Sequence, residues 1–270
     1  QFDGHFTPVR EQDSSVKSVV ITAIDTSDRA QFEERLAKEK LYDNVTGLPN
    51  RNLLIEKIIN FQERFQRGIT EKGYLFVLSV NRTAPLHSAL GSAAMHDMAR
   101  QIGDRLTGYF AGDKHIAHIG EYDFGVLSED IDNDDDALDM ARELQLEFAA
   151  PLFLEERQLN ITCSIGIARS DMRQENAEDW LREAQTACVS ASKDGGGTER
   201  MFHLALASEA LSAWQISEQL KQAISENTIE AWLQPIVNME TRKPIGFEAL
   251  ARWEISPGHF IPPSQFIPIA

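Results

Sequence analysis

The sequence predicts an α/β (α+β) protein in which a central sheet is flanked by helices. Three observations lead there. Apolar strand-like runs alternate with helix-like stretches over about residues 41–205, the pattern of helices layered on a sheet. YLFVLSV (74–80) is apolar almost throughout, as a strand buried on both faces must be. HIGEYDFGVL (118–127) sets strand formers on both sides of a short acidic centre, which reads as a hairpin inserted into that alternation.

Taken in order, residues 1–27 read as strands, with SVVITAID (18–25) a β-rich run ending in a polar cluster. Ser27 or Asp28 caps the helix that follows, DRAQFEERLAKEKLY (28–42), and Gln31 is placed to complete a capping box. This helix is highly charged, with Phe32 and Leu36 one turn apart. A solvated linker and a short dimeric coiled coil fit it equally; the second would make a homodimer through linker helices. DNVTGLPNR (43–51) breaks the chain at Gly47 and Pro49. A helix to about Arg67, the strand 74–80, a helix over about 92–110 and the hairpin over about 115–128 come next. EDIDNDDD (129–136) leads into a helix at 137–148, and QLNITCSIGIAR (158–169) is the next strand. AEDWLREAQTACVSASK (177–193) is a helix stopped by Gly195, Gly196 and Gly197, after which ERMFHL (199–204) returns as an edge strand. A new unit begins near Ala207 with a helix to about Ser225. AWLQPIVNM (231–239) and KPIGFEALARW (243–253) follow, joined by a polar turn.

Composition narrows the function classes. The chain has 270 residues, 42% hydrophobic and 25% charged, with a formal charge of −16. That charge argues against nucleic-acid binding, which relies on Lys and Arg to neutralise phosphates. No apolar run approaches the roughly 18 residues that span a bilayer. The start, QFDGHFTPVREQ, lacks the basic and apolar regions of a signal peptide. A cytoplasmic location is expected, and the missing initiator Met suggests a piece of a longer chain in which upstream membrane segments remain open. Cys163 and Cys188 sit outside any C-x-x-C pattern and are expected as buried, reduced thiols.

DNVTGLPNR closely resembles the D-x-L-T-G-L-P-N-R opening of the GGDEF family, the diguanylate cyclases. HIGEYDFGVL resembles the family's R-[IL]-G-G-D-E-F-A-V-L hairpin, and ITCSIGIA and ASKDGG its later V-S-I-G-x-A and A-K-x-x-G motifs. Order and spacing match over about 165 residues. The resemblance implies chemistry that joins two GTP molecules into cyclic-di-GMP, with carboxylates holding Mg²⁺ and glycine where backbone meets phosphate. Position by position, this chain departs from it. The signature turn reads Gly120, Glu121, Tyr122, Asp123 and Phe124: the second glycine is a Glu and the metal-binding Glu a shorter Asp. D-I-D-x-F-K reads Ser79-Val80-Asn81-Arg82-Thr83-Ala84, so a metal carboxylate is lost at Ser79 and a Lys at Ala84. Both guanine-contacting positions are histidine, His87 and His96, while Lys193 survives at a phosphate-contacting position. The inhibitory R-x-x-D reads Ala111-Gly112-Asp113-Lys114. A degenerate site without Mg-GTP chemistry is the expectation.

Residues 214–270 resemble the start of an EAL domain, the cyclic-di-GMP phosphodiesterase family, through LQPIV, GFEALARW and FIPPSQFIPIA. The resemblance implies the first strands of a truncated TIM-type barrel, whose full length is about 250 residues. It makes Glu248 a metal ligand and Gln234 and Arg252 contacts to cyclic-di-GMP. Mg²⁺ or Mn²⁺ is expected in the complete EAL domain and none bound to this fragment. AIDTSDR resembles the end of a PAS domain. The expected organisation is a PAS-like end at 1–27, a linker helix at 28–42, a degenerate GGDEF domain at 43–205, and a linker helix with the EAL fragment at 206–270. The implied function is bacterial cyclic-di-GMP signalling in which an inactive GGDEF domain regulates an EAL phosphodiesterase. The alternatives are a non-catalytic cyclic-di-GMP receptor signalling by dimer rearrangement, and a live cyclase.

Three further patterns read as structure. DNDDDALDMARE (132–143) has EF-hand-like acids but no Gly at position 6, and the acids suit a helix start. His115 and His118 fall on opposite faces of a strand. Gly195–Gly197 follows a helix instead of preceding one, which favours a helix stop over a phosphate cradle.

Overall fold

The computed structural model describes residues 2–10, 16–25, 38–110, 115–154, 157–171, 173–193, 196–256 and 258–270. Most of the expected linker helix (28–37) and the Ala111–Lys114 segment lie outside them, and with them the dimer seam at Phe32 and Leu36. The chain divides into two compact units, Gln1–Phe202 and His203–Ala270.

In the first unit, strands β1 (Phe2–Arg10) and β2 (Val16–Asp25) pair antiparallel, as the strand-rich start predicted. After them come α1 (Arg51–Gln66), β3 (Tyr74–Val80), α2 (Thr83–Tyr109), β4 (His115–His118), β5 (Asp123–Ser128) and α3 (Asp134–Ala149). The short strands β6 (Leu152–Leu154) and β7 (Arg157–Leu159) then precede β8 (Cys163–Arg169), α4 (Ala177–Lys193) and β9 (Glu199–Met201). The main sheet has five strands in the order β4-β5-β3-β8-β9, all antiparallel except β8 with β9. The α/β (α+β) class read from the sequence is the one observed.

The central strand explains the layering. Side chains alternate across a strand, and β3 sends Tyr74, Phe76, Leu78 and Val80 into one core and Leu75 and Val77 into the other. The first core packs under α2 through Met95, Met98, Ile102 and Leu106, and under α3 through Ala137, Ala141, Leu144 and Phe148. The second packs under α1 through Leu54, Ile58 and Phe61, and under α4 through Trp180, Leu181, Ala184 and Cys188. Asn133 caps α3, its side chain accepting from the Asp136 N–H, and Asp134, Asp135 and Asp136 occupy the first turn, so the acids sit at a helix start. Both cysteines are buried and free.

Several boundaries differ from the sequence reading; the helix expected at 137–148 starts at Asp134, and the edge strand expected over 199–204 is only Glu199–Met201. The helix expected from residue 92 starts at Thr83; it carries a kink at Gly91 (φ 76°, ψ 173°), and the Pro and Gly of its first turns disguise it. The strand expected over 158–169 is two: β7 closes a small hairpin with β6, and β8 begins only at Cys163. The helix expected from Ala207 starts at Leu204.

The second unit opens with α5 (Leu204–Ser225), followed by β10 (Ile229–Val237), β11 (Pro244–Ser256) and β12 (His259–Ile261), which form a three-stranded sheet. A small core joins Leu220, Ala223, Trp253, Ile261 and Phe266. The turn between β10 and β11 is short, so they pair antiparallel instead of in the parallel manner of a regular TIM barrel. Among the described residues no helix is long and apolar enough to cross a membrane.

Candidate functional site

The opening motif, 43–51, acts as a clasp. Asp43 Oδ1 accepts from the backbone N–H of Val45 (3.1 Å) and Thr46 (2.8 Å) and from the Thr46 hydroxyl (2.8 Å). Gly47, at φ 73°, lets its N–H return to the Asp43 carbonyl. Asn50 caps α1 by accepting from the N–H groups of Asn52 and Leu53, and Arg51 forms a two-point ion pair with Glu178 of α4.

That clasp grips the hairpin through His118, which is almost fully buried. Its Nδ1 lies 2.9 Å from Asp43 Oδ1, its Nε2 3.2 Å from the Glu121 carbonyl, and its ring stacks on Phe124 at 4.8 Å. The Pro49 carbonyl accepts the His118 N–H at 2.8 Å. Both ring nitrogens face acceptors, so an imidazole protonated on both satisfies both and a neutral ring satisfies one. Burial pushes the Asp43 carboxyl up, but the Thr46 N–H and the His118 ring outweigh it and hold the group below its ordinary value. A carboxyl depressed in the folded state adds stability above its unfolded pKa, near 4, and that stability is lost as pH falls through the folded value. Asp43→Asn is therefore expected to flatten the dependence of denaturation midpoint on pH below about pH 4. An unchanged acid limb in the variant would refute the role.

The turn itself, Gly120-Glu121-Tyr122, is closed by the Ile119 N–H donating to the Asp123 carbonyl at 2.9 Å and tied to β3 by the Val80 N–H donating to the Tyr122 carbonyl at 3.2 Å. Glu121 is exposed. The Tyr122 hydroxyl is pushed up by burial and by its bond to the Glu121 carboxylate. A Cβ on Gly120 would lie 3.1 Å from Asp123 Oδ2, so the carboxylate folds back against the glycine.

Across the sheet, Ser79 pairs with Asp123 on one side and Ser164 on the other. Ser79, Asp123, Gln185, Cys188, Ser192 and Lys193 border one cavity of about 420 Å³. The structure thus brings together the three sequence-singled positions Ser79, Asp123 and Lys193. His87 and His96 are exposed on α2 and line none of this cavity; His87 Nε2 sits 3.3 Å from the Ser92 hydroxyl. Burial, followed by the Asp123 charge, raises the Cys188 thiol to about 12, and burial raises Cys163 to about 12, so neither is a nucleophile at neutral pH. Two Mg²⁺ ions demand several oxygen ligands. Among the described residues no group of three or more His, Cys, Asp or Glu is placed to hold a metal ion. Of the two positions that the resemblance makes metal ligands, Asp123 offers a carboxylate and Ser79 a hydroxyl.

Asn81 was not singled out from sequence as a site residue. Its Oδ1 accepts from the hydroxyls of Ser164 (3.0 Å) and Ser192 (3.1 Å), and its Nδ2 donates to Thr162 Oγ1 (3.2 Å). A Cβ on Gly196 (φ 76°) would meet the Asn81 side chain at 2.7 Å. The signal was the run of Ser and Thr at 162, 164 and 192, legible only once β3, β8 and α4 are adjacent. Asn81→Ala is expected to cost about 1 kcal/mol, chiefly by leaving the buried Ser164 hydroxyl without its acceptor, since Thr162 and Ser192 are exposed to water. Equilibrium denaturation checks it, and an unaltered midpoint contradicts it.

In the second unit, Gln234 pairs directly with Glu248, and Glu230 with Arg252. Cross-strand partners and i, i+2 neighbours share a face, so Gln234, Glu248 and Arg252 lie on one face of the β10–β11 hairpin. Gln234 and Glu248 are exposed, and the Arg252 guanidinium lies 5.7 Å from the Trp232 ring centroid. Glu248 offers a metal one carboxylate; among the described residues it belongs to no group of three or more His, Cys, Asp or Glu placed to hold a metal ion.

Comparison with known proteins places this geometry. The family described as "Diguanylate cyclase, GGDEF domain" matches residues 40–198, and the EAL domain family matches 217–270. The chain is 27% identical over 249 residues to the oxygen sensor protein DosP of Escherichia coli, covering 92% of this chain and 30% of that protein. It is 26% identical over 263 residues to the cyclic di-GMP phosphodiesterase NbdA of Pseudomonas aeruginosa, covering 97% of this chain and 33% of that one. The chain thus spans roughly a third of the length of the curated relatives it matches. In fold it is similar to the GGDEF domain of YfiN (TpbB) from Pseudomonas aeruginosa, with a TM-score of 0.58 at 22% identity, covering 62% of this chain and 97% of that one. With the family match running through clasp, hairpin and α4, this chain belongs to the GGDEF family, and it continues into a segment that matches the EAL domain.

Proposed function

We propose that residues 43–205 are a non-catalytic GGDEF module in cyclic-di-GMP signalling. It relays a signal from the PAS-like segment at 1–27, through the linker helix at 28–42, to an EAL phosphodiesterase that begins at 206–270 and is completed in the whole protein. The observation that carries the reading is the pairing at the hairpin: Ser79 stands opposite Asp123, leaving one carboxylate where the chemistry needs a cluster. The clasp supports a relay. Asp43 joins the end of the linker helix to His118 and the hairpin, so a displacement of the linker reaches the turn through two hydrogen bonds.

For the EAL segment, the shared face of Gln234, Glu248 and Arg252 supports a ligand surface, with Glu248 holding Mg²⁺ or Mn²⁺ once the barrel supplies its other ligands. The similarity to the cyclic di-GMP phosphodiesterase NbdA favours hydrolysis over receptor function.

The test has two arms. This chain incubated with GTP and Mg²⁺ is expected to yield no cyclic-di-GMP; turnover would overturn the non-catalytic reading. The whole protein with Mn²⁺ is expected to open cyclic-di-GMP to the linear dinucleotide, and Glu248→Gln to abolish that. Binding without hydrolysis would replace the phosphodiesterase by a receptor.

A further inference from the structure

One cleft of the first unit is bordered by polar side chains from three elements, β3, β5 and α4. Among the described residues, no hydrogen bond or ion pair engages the side chains of Ser79, Asp123, Gln185 or Lys193, yet all four border the same cavity of about 420 Å³. Polar groups that converge on a cavity without partners are the recognition elements of small-molecule sites, and this volume lies within the roughly 300–1,000 Å³ such sites occupy. Val77 and the protonated Cys188 contribute apolar surface.

The charges choose the ligand class. Among the described residues, Lys193 is the one cation bordering the cavity and Asp123 the one anion, and they form no ion pair with each other. A polyanion such as a triphosphate meets one ammonium and a repelling carboxylate, in a chain of formal charge −16. A lone anion or a lone cation leaves one of the two protein charges opposed. A ligand carrying one charge of each sign, spaced across the cavity, satisfies both.

We infer that the cleft bounded by Ser79, Asp123, Gln185 and Lys193 binds a small zwitterion of the α-amino-acid type. The ligand ammonium sits on Asp123, its carboxylate on Lys193, Ser79 and Gln185 donate or accept beside them, and an apolar side chain rests on Val77 and Cys188. The inference rests on the reading that the cleft no longer takes magnesium triphosphate.

Isothermal titration of this chain with L-leucine, L-methionine and L-phenylalanine tests it. Saturable binding of at least one is expected. Its deaminated carboxylic acid and its decarboxylated amine should each bind about tenfold or more weakly, since each forfeits a charge-assisted hydrogen bond. Asp123→Asn and Lys193→Met should each reproduce that loss in the chain. Silence toward all three amino acids, equal binding of the single-charge analogues, or indifference to both substitutions overturns the assignment. Mg-GTP is titrated in parallel. Turnover of GTP overturns the functional reading and this inference with it; saturable GTP binding without turnover that Asp123→Asn abolishes, or silence toward GTP and amino acids alike, overturns this inference alone.

Discussion

Replacing Gly166 with alanine is expected to be among the most damaging single-methyl changes in the chain. A Cβ there would lie 2.1 Å from the Ala184 carbonyl oxygen and 2.1 Å from the Cys188 nitrogen, both backbone atoms of α4. No rotamer relieves a clash with backbone, so α4 must lift from β8 or unwind locally. Overpacking of a tight core typically costs 1–3 kcal/mol, and this case belongs at about 3 kcal/mol. The damage reaches the site, because α4 carries Cys188, Ser192 and Lys193 on the cleft wall. Denaturant midpoints measure the loss. A variant as stable as the parent would show that helix and strand do not approach as described.

Trp180→Ala is expected to be as costly for the opposite reason, a void. Trp180 is fully buried, its ring lies 5.1 Å from that of Phe61, and its Nε1–H donates to the Ala168 carbonyl at 2.9 Å. Truncating a buried Trp costs about 3–5 kcal/mol through lost transfer energy and the cavity left behind, and here a buried carbonyl also loses a donor. Trp180→Phe should recover most of the packing and none of the hydrogen bond, so its loss should fall well short of the alanine variant's. Equal losses in the two variants would mean that the bond, not the volume, dominates.

The parts of the fold legible in the sequence are those where a local pattern and the tertiary structure agree. Tyr74–Val80 is apolar because it is buried from both sides, and its ends are met to the residue. The helix Ala177–Lys193 shows a stop at its glycines and a buried stripe of Trp180, Leu181, Ala184 and Cys188. Illegible parts hang on partners distant in sequence. Thr83–Leu90 looks like loop because Pro85 and Gly91 punctuate it, yet it is helical. Alternation runs unbroken from Gln158 to Arg169, and nothing local says that Leu159 pairs with Leu152 while Cys163 pairs with Val80. At the site, Ser79, Asp123 and Lys193 were found through the family's motifs and the cavity joins them. The hold of Asp43 on His118 was hidden, because an Asp in a loop and a His on a strand carry no mark of each other until the chain folds.

The turn between β10 and β11 acts as a ruler. Asn238 Oδ1 accepts from the N–H groups of Glu240 and Thr241, and Arg242 adopts φ 54°, which winds the loop to a set length. Adding or deleting a single residue there would slide one strand past the other by one position and turn its alternate side chains to the reverse side. Glu248 would then face away from Gln234. A change in residue count at this turn is consequently expected to do more damage than a substitution at any position other than Asn238.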